Sequence, residues 1–321
     1  MRMTRQIAAI ALAVFAPWSA TAQAQPYPSK DIHLICGFPP GGGADLIVRF
    51  YAEKLRLLTG RTIVVENKVG ALGNIATQYT ARAKPDGYTI YITGGPGLAA
   101  NMYLFKKPPV DIVKDLQVVA GINRLATMLA VRADRPWKTL ADLTAYLKEK
   151  GDRASYASNN PVAQAIGEIY KQSAGLKTVQ INYKTSSDSS NDIQSGAVDF
   201  GIFDPVYAIA QQREGRMRIL AISSNERMES QPDLLTFEEQ GVPMDLLGWW
   251  AAFVPAATPR PIVDQLNKWF TEIQSTPEAK AFFNSYGSDP FLISPDQGQA
   301  RLTEDVKKWA EYVKIANIEP Q

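Results

Sequence analysis

The sequence predicts a two-domain α/β protein whose chain crosses twice between two sheets and leaves a ligand cleft between them. Three observations carry this reading. Apolar strand-like runs repeatedly end in a loop that opens onto a helix-like pattern, which is the rhythm of βα units. Two blocks of such units follow one another with different loop chemistry, glycine-rich in the first and polar in the second. The last block, from Trp249 onwards, offers one strand and otherwise helices, too few strands for a third sheet, so it returns over the first domain. The crossings fall near Arg124 to Met128 and near Trp249 to Val254, and two crossings make a hinge. The domains are then 25–126 with 250–321, and 127–249. A chain of 321 residues that is 45% hydrophobic has material for two cores of that size.

In the first block, Asp31 to Cys36 reads as a strand leading into Phe38-Pro39-Pro40-Gly41-Gly42-Gly43-Ala44-Asp45. A helix follows with Leu46, Phe50, Leu55 and Leu58 on one face and a glycine stop at Gly60. Thr62 to Val65 leads into a loop ending Leu72-Gly73-Asn74 and a helix to about Ala83, closed by the turn Lys84-Pro85-Asp86-Gly87. Tyr88 to Thr93 reaches the loop Gly94-Gly95-Pro96-Gly97. Loops at the carboxyl ends of neighbouring strands line one crevice, the usual ligand position in open α/β sheets.

In the second block, Met128 to Val131 is a strand, and Thr139-Leu140-Ala141-Asp142 resembles a capping box opening a helix to about Lys150. Ala154 to Ala157 ends at Ser158-Asn159-Asn160-Pro161, after which a helix carries Ala165, Ile169 and Ala174. Val179 to Tyr183, Val198 to Phe203 and Arg218 to Ser223 complete a second sheet, with loops beginning at Lys184, Asp204 and Ser224. The tail is the strand Trp250 to Pro255 and helices over Arg260 to Gln274, Pro277 to Tyr286 and Pro295 to about Ile315.

The first 24 residues have the layout of a secretory leader: Arg2 and Arg5, an apolar run from Ile7 to Trp18, and the small-residue site Ala22-Gln23-Ala24. The apolar run is too short for a bilayer span of roughly 20 residues. Cleavage after Ala24 makes Gln25 the mature end and places the protein in the periplasm. The loss of Arg2 and Arg5 takes 34 basic residues to 32, equal to the 32 acidic ones, and nothing in that balance favours nucleic acid. The single cysteine, Cys36, lies within the first strand and reads as a small hydrophobe.

Catalysis is poorly supplied, and no catalytic residue is assigned. With His33 the only histidine, there is no multi-histidine metal site and no separate base for a nucleophile; His33 itself reads as a strand residue. The Gly41 to Asp45 run lacks the Gly-Lys-Ser/Thr ending of a nucleotide-binding loop and the spacing of a dinucleotide fingerprint, so no cofactor is expected. The same run suits an anion held without chemistry, because glycines admit close backbone approach and a helix start offers free N–H groups. Asp45 suits a helix cap, and Asp204 either a cap or a partner for a ligand donor. Of Trp249 and Trp250, adjacent on a strand, only one can face any given site.

These strings resemble the tripartite tricarboxylate transporter substrate-binding proteins, the Bug or TctC-type receptors, over nearly the whole chain from Tyr27 to Ile315. The resemblance rests on Phe38 to Asp45, Glu66 to Ile75, Lys84 to Thr89, Asp142 to Tyr146, Ser195 to Asp199, Thr236 to Gly241 and Trp249 to Pro259 in that order and spacing. It implies a periplasmic-binding-protein fold of type II character, two α/β domains closing on a carboxylate. It places ligand contacts on Phe38, Gly41, Gly42, Gly43, Ala44 and Asp45, on Leu72, Gly73 and Asn74, and on Thr93, Gly94 and Gly95. In the second domain it places them on Ser158, Asn159, Asn160, Tyr183, Thr185 and Asp204. The chain departs from the family pattern there: Asn159-Asn160-Pro161 stands where a Gly- and Ser-rich turn is usual, and Thr185-Ser186-Ser187-Asp188 where small glycine-rich residues are usual.

The expected function is a monomeric periplasmic receptor that captures a small organic acid by domain closure and delivers it to the membrane subunits of a tripartite transporter. A ligand-sensing subunit for a signalling kinase is the alternative, since both use a ligand-closed surface. N-terminal sequencing of protein exported from a Gram-negative host should begin at Gln25; retention of Met1 in a soluble cytoplasmic pool would contradict the leader.

Overall fold

The structure is a computed structural model that describes residues 27–320; the leader and its cleavage point lie outside the described residues. The first run of elements is β1 (Ile32–Cys36), α1 (Gly43–Thr59), β2 (Ile63–Asn67), α2 (Asn74–Ala81), β3 (Thr89–Gly94), α3 (Gly95–Leu104), α4 (Ile112–Asp115) and β4 (Leu116–Ala126). The second is β5 (Met128–Arg132), α5 (Leu140–Lys150), β6 (Ser155–Ser158), α6 (Pro161–Ser173), β7 (Val179–Asn182), α7 (Ser186–Ser195), β8 (Phe200–Phe203), α8 (Pro205–Arg213) and β9 (Met217–Ile222). The last is β10 (Leu247–Pro255), α9 (Arg260–Gln274), α10 (Pro277–Ser285), β11 (Ser288–Pro290) and α11 (Pro295–Ile315).

Two sheets result, ordered β11-β4-β10-β3-β1-β2 and β7-β6-β8-β5-β9. In the first, β1 is parallel to both β2 and β3, while β10 returns antiparallel between β3 and β4. In the second, β6 is parallel to β7 and β8. Interior strands of sheets covered on both faces should be apolar at successive positions. β10 is so: Trp249, Ala251, Ala252, Phe253 and Val254 are all fully buried.

Helix 1 shows where periodicity misleads. Its buried residues are Asp45, Val48, Tyr51, Ala52 and Leu55, whereas Leu46 and Leu58, expected on the buried face, are 41% and 39% exposed. The face is set by aromatic neighbours from the tail, with Tyr51 stacked on Phe270 and Phe50 on Phe282 at centroid distances of 5.0 and 4.4 Å. Gly60 ends the helix in the left-handed conformation, as expected of a glycine stop. The capping box at Thr139 and Asp142 also forms, both halves present. Gly95 to Gly97, read as loop, are instead the first turn of α3.

The two crossings meet at one side chain. The first is Thr127 between β4 and β5, and the second brings the chain from β9 back to β10. Ser223, fully buried, accepts from Thr127 N–H at 3.0 Å through Oγ, and the same hydroxyl donates to the Leu246 carbonyl at 2.8 Å. Backbone bonds reinforce this, Ser223 N–H to Thr127 O and Leu246 N–H to Ser223 O, both 2.9 Å. Helix α11 adds a further link. Near its middle, Asp305 accepts from Trp249 Nε1 at 2.6 Å; just past its end, Gln164 of α6 donates to the Ala316 carbonyl at 3.0 Å.

Ser223→Ala should therefore cost about 1–3 kcal/mol, because it strips hydrogen bonds from one buried and one part-buried backbone group at once. At this chain size each kcal/mol lowers the melting temperature by roughly 2–4 °C, which differential scanning calorimetry reads directly. An unchanged melting temperature would show that the serine is not a clasp.

Candidate functional site

The loops after β1, β2 and β3 sit at the carboxyl ends of three parallel strands, and those after β6, β7 and β8 at the ends of the second parallel set. The two sets treat their helix starts in opposite ways. Helices α1, α2 and α3 have Gly42, Gly73 and Gly94 as N-caps, and none has a side-chain cap. Helices α6, α7 and α8 are capped from their own sequence: Asn160 accepts from Ala163 N–H at 2.9 Å, Thr185 from Asp188 N–H at 3.1 Å, and Asp204 from Tyr207 N–H at 3.0 Å. A helix start leaves N–H groups without intrahelical partners at the positive end of its dipole. The second unit satisfies part of that demand itself; the first leaves it open to an anion.

Asp45 organises the first loop rather than facing outwards. It is 1% exposed and accepts from Gly41 N–H at 2.9 Å, Arg49 Nε at 2.7 Å and Asn67 Nδ2 at 2.8 Å. Burial alone would raise its pKa, but the bonds from Arg49, Gly41 and Asn67 outweigh it and hold the carboxyl at about 2. The stability from this cluster is thus complete above the ordinary aspartate range near ~3.9 and is lost only as pH falls through about 2. Asn67 also donates to the Phe38 carbonyl at 3.0 Å, so one amide joins the ends of the loop to β2. The loop's positive φ falls at Gly41, 82°, while Gly42 at −83° is ordinary extended backbone.

The second loop is held in a rarer conformation. Gly70, Ala71, Leu72 and Gly73 have φ of 135°, 47°, 53° and 91°, and left-handed backbone costs a non-glycine residue roughly 1–2 kcal/mol. Asn101 of α3 steadies it, donating to the Leu72 carbonyl at 2.9 Å and to Asn74 Oδ1 at 3.2 Å. Asn74 is 8% exposed, and its Nδ2 has no partner among the described residues. In the third loop Thr93 is buried, and the glycines answer to tryptophan: a Cβ on Gly95 would lie 2.2 Å from Trp249, and one on Gly94 3.4 Å from Trp250 Nε1.

In the second unit most of the expected contacts already have partners. Ser158 is 2% exposed and accepts from Gln180 at 2.7 Å. Asn159 donates to Ser186 Oγ and accepts from Asn160 Nδ2, both at 2.8 Å. Tyr183 donates to Asp192 at 2.6 Å, and burial together with that carboxylate pushes its hydroxyl up to about 12. Asp204 keeps one carboxylate oxygen without a partner among the described residues.

A cavity of about 420 Å³ joins the two units. Phe38, Gly43 and Ala44 of the first loop and Asp204 of the second unit line it; the other expected contact residues do not. Sequence reasoning missed Ile47, Asn123, Leu125, Val206, Phe283 and Tyr286 in its wall. Trp250 also lines it while Trp249 is fully buried, so one tryptophan of the pair faces the cavity. His33 lies elsewhere, with Nδ1 2.6 Å from Glu66 Oε1, in a groove shared with Lys30, Tyr79 and Arg82.

Comparison with known proteins agrees with this architecture. Residues 47–318 match the family described as tripartite tricarboxylate transporter family receptor, TctC. Protein BugT of Bordetella pertussis (strain Tohama I) is 29% identical over 319 residues, 98% of either chain. Among solved structures, one described as a periplasmic transporter is 30% identical with a TM-score of 0.76, covering 91% of this chain and 99% of its own. An R. palustris protein with adipate is 27% identical with a TM-score of 0.78, covering 92% of this chain and 100% of its own. A glycine-capped α/β half facing a self-capped one across a cleft, on a chain matched almost end to end, makes this protein a member of the TctC family of tripartite tricarboxylate transporter receptors, with the fold of a periplasmic binding protein.

Proposed function

We propose that this chain is a periplasmic receptor that closes its two units on a small carboxylate and delivers it to the membrane subunits of a tripartite transporter. The observation that carries the reading is the set of glycine N-caps at Gly42, Gly73 and Gly94, which leaves the N–H groups of three helix starts without side-chain partners on one side of the cleft. The R. palustris relative with adipate supports a carboxylate ligand. The leader at residues 1–24 supports export, and the hinge clasped at Ser223 supports closure.

In this reading the carboxylate lies against Gly43 and Ala44 at the start of α1, with Phe38 beside it, while the loops at Leu72 to Asn74 and Thr93 to Gly95 lie outside the cavity lining. Asp45 acts one step back, by holding the loop. Asn159, Asn160 and Thr185 shape the opposite wall through the caps they make, and Asp204 offers its free oxygen to a ligand donor.

A thermal-shift screen over an organic-acid library identifies the ligand, since a ligand at about 100 times its Kd adds about 2.7 kcal/mol of stability. Gly43→Val then tests the site. A Cβ at Gly43 meets nothing within 4 Å, so the variant should fold with an unchanged melting temperature while its side chain enters the ligand's space. Affinity by calorimetry should fall at least about tenfold, or ~1.4 kcal/mol. Asn160→Ala should do the reverse, lowering the ligand-free stability by about 1 kcal/mol through the lost cap. Unchanged affinity in a folded Gly43→Val protein would remove the first loop from the site.

A further inference from the structure

The cavity between the units is chemically lopsided. Its walls include Phe38, Ile47, Leu125, Trp250 and Phe283 from the first unit and Val206 from the second, and no Lys, Arg or His lines it. Its groups suited to charge or hydrogen bonding are the backbone at Gly43 and Ala44 and the side chains of Asn123, Asp204, Ser288, Tyr286 and, through its indole N–H, Trp250. Ser288 already donates to the Phe283 carbonyl at 3.1 Å. Asn123 is different: it is 2% exposed, and its Oδ1 has no hydrogen-bond partner among the described residues. A buried amide oxygen of this kind in a mostly apolar chamber is expected to meet a donor.

We infer that the ligand is a monocarboxylate with an aromatic or similarly apolar ring body and a hydrogen-bond donor, hydroxyl or amino, away from the carboxylate. This rests on the carboxylate reading above and narrows it. The helix start at Gly43 accommodates one negative charge. A second carboxylate on the ligand would enter a chamber that offers no cation and already contains Asp204, so desolvation and like-charge repulsion both oppose it. The ring body finds Phe38 and Trp250, whose centroids lie 5.6 Å apart at 32°, leaving aromatic faces and edges for contact. A volume of about 420 Å³ suits a small ring compound. The distal donor meets Asn123 Oδ1 and the free oxygen of Asp204, which is the part of the site that separates a hydroxylated or aminated ring acid from a plain one.

Calorimetry on the full mature protein with benzoate, 4-hydroxybenzoate, succinate and citrate tests this. 4-Hydroxybenzoate should bind most tightly, with succinate and citrate at least about tenfold weaker. Asn123→Leu should weaken 4-hydroxybenzoate by about tenfold and leave benzoate within about twofold, with the melting temperature reporting its folding. Asp204→Asn keeps an oxygen for the Tyr207 N–H and removes the charge, so it should weaken 4-hydroxybenzoate and strengthen succinate. Succinate or citrate outbinding both ring acids, or Asp204→Asn leaving succinate unchanged, overturns the ligand class while the carboxylate reading stands. Silence from these four acids and from the wider organic-acid library overturns both.

Discussion

The carboxylate of Asp45 is the interaction on which the glycine-capped half of the molecule depends. Three donors from three places in the chain converge on it: Gly41 at the turn, Arg49 one helical turn further on, and Asn67 at the end of β2. That convergence fixes where α1 begins, and therefore where its free N–H groups point. An aspartate in the first turn of a helix commonly serves the helix itself. Here it turns back to the preceding loop, so Gly43 and Ala44 can face a ligand with no side-chain cap in competition.

From this constraint the asymmetry of the cleft follows. In the proposed function the side with glycine N-caps recognises charge through backbone, which reads little beyond the presence of an anion. The opposite side spends Asn160 and Thr185 on its own helices and presents Asp204 and Val206 to the cavity. In that reading selectivity falls to the walls: aromatic rings from the loop after β1, from β10 and from α10, and the buried amide of Asn123. The frame that brings the walls together is short. Thr127 and Leu246, one from each crossing, share the Ser223 hydroxyl, and α11 runs from Trp249 in the first sheet to Gln164 on α6, the helix that follows the Asn159-Asn160 loop. The helix that follows that loop thus touches the end of the C-terminal helix directly.

Much of the fold was legible because strand runs, glycine stops and one capping box are local signals. The strands β1, β3, β5 and β6 and the helices α9 to α11 lie within a residue or two of where periodicity puts them. What escaped was set from outside the segment. Helix α7 is Ser- and Asp-rich and buries Ser189, Ser190 and Ile193, so it has no apolar stripe to read. Strand β4 pairs with β10 and β11 along its edges and is covered by α9 and α11 on its faces, all of them from the end of the chain, and β11 is three residues long. The site follows the same rule. The glycine run was visible, but Asn123 lies in that unread strand, and Phe283 and Tyr286 reach the cavity from a helix 240 residues away from Gly43 along the chain. Asn160 and Thr185 stand at loop ends, and their position just before a helix makes them caps, while Asp45 is an organiser for the opposite reason, its neighbours having drawn it inwards.

The central claim is that the ligand's carboxylate is held by backbone at the uncapped start of α1. A crystal structure of the protein with a bound acid tests it most directly. The account predicts a carboxylate oxygen about 2.7–3.2 Å from the amide nitrogen of Gly43 or Ala44, with Asp45 still closed on Gly41, Arg49 and Asn67. A carboxylate seated instead on the side chains of Asn159, Asn160 or Thr185, with the helix start at Gly43 left in water, would contradict it.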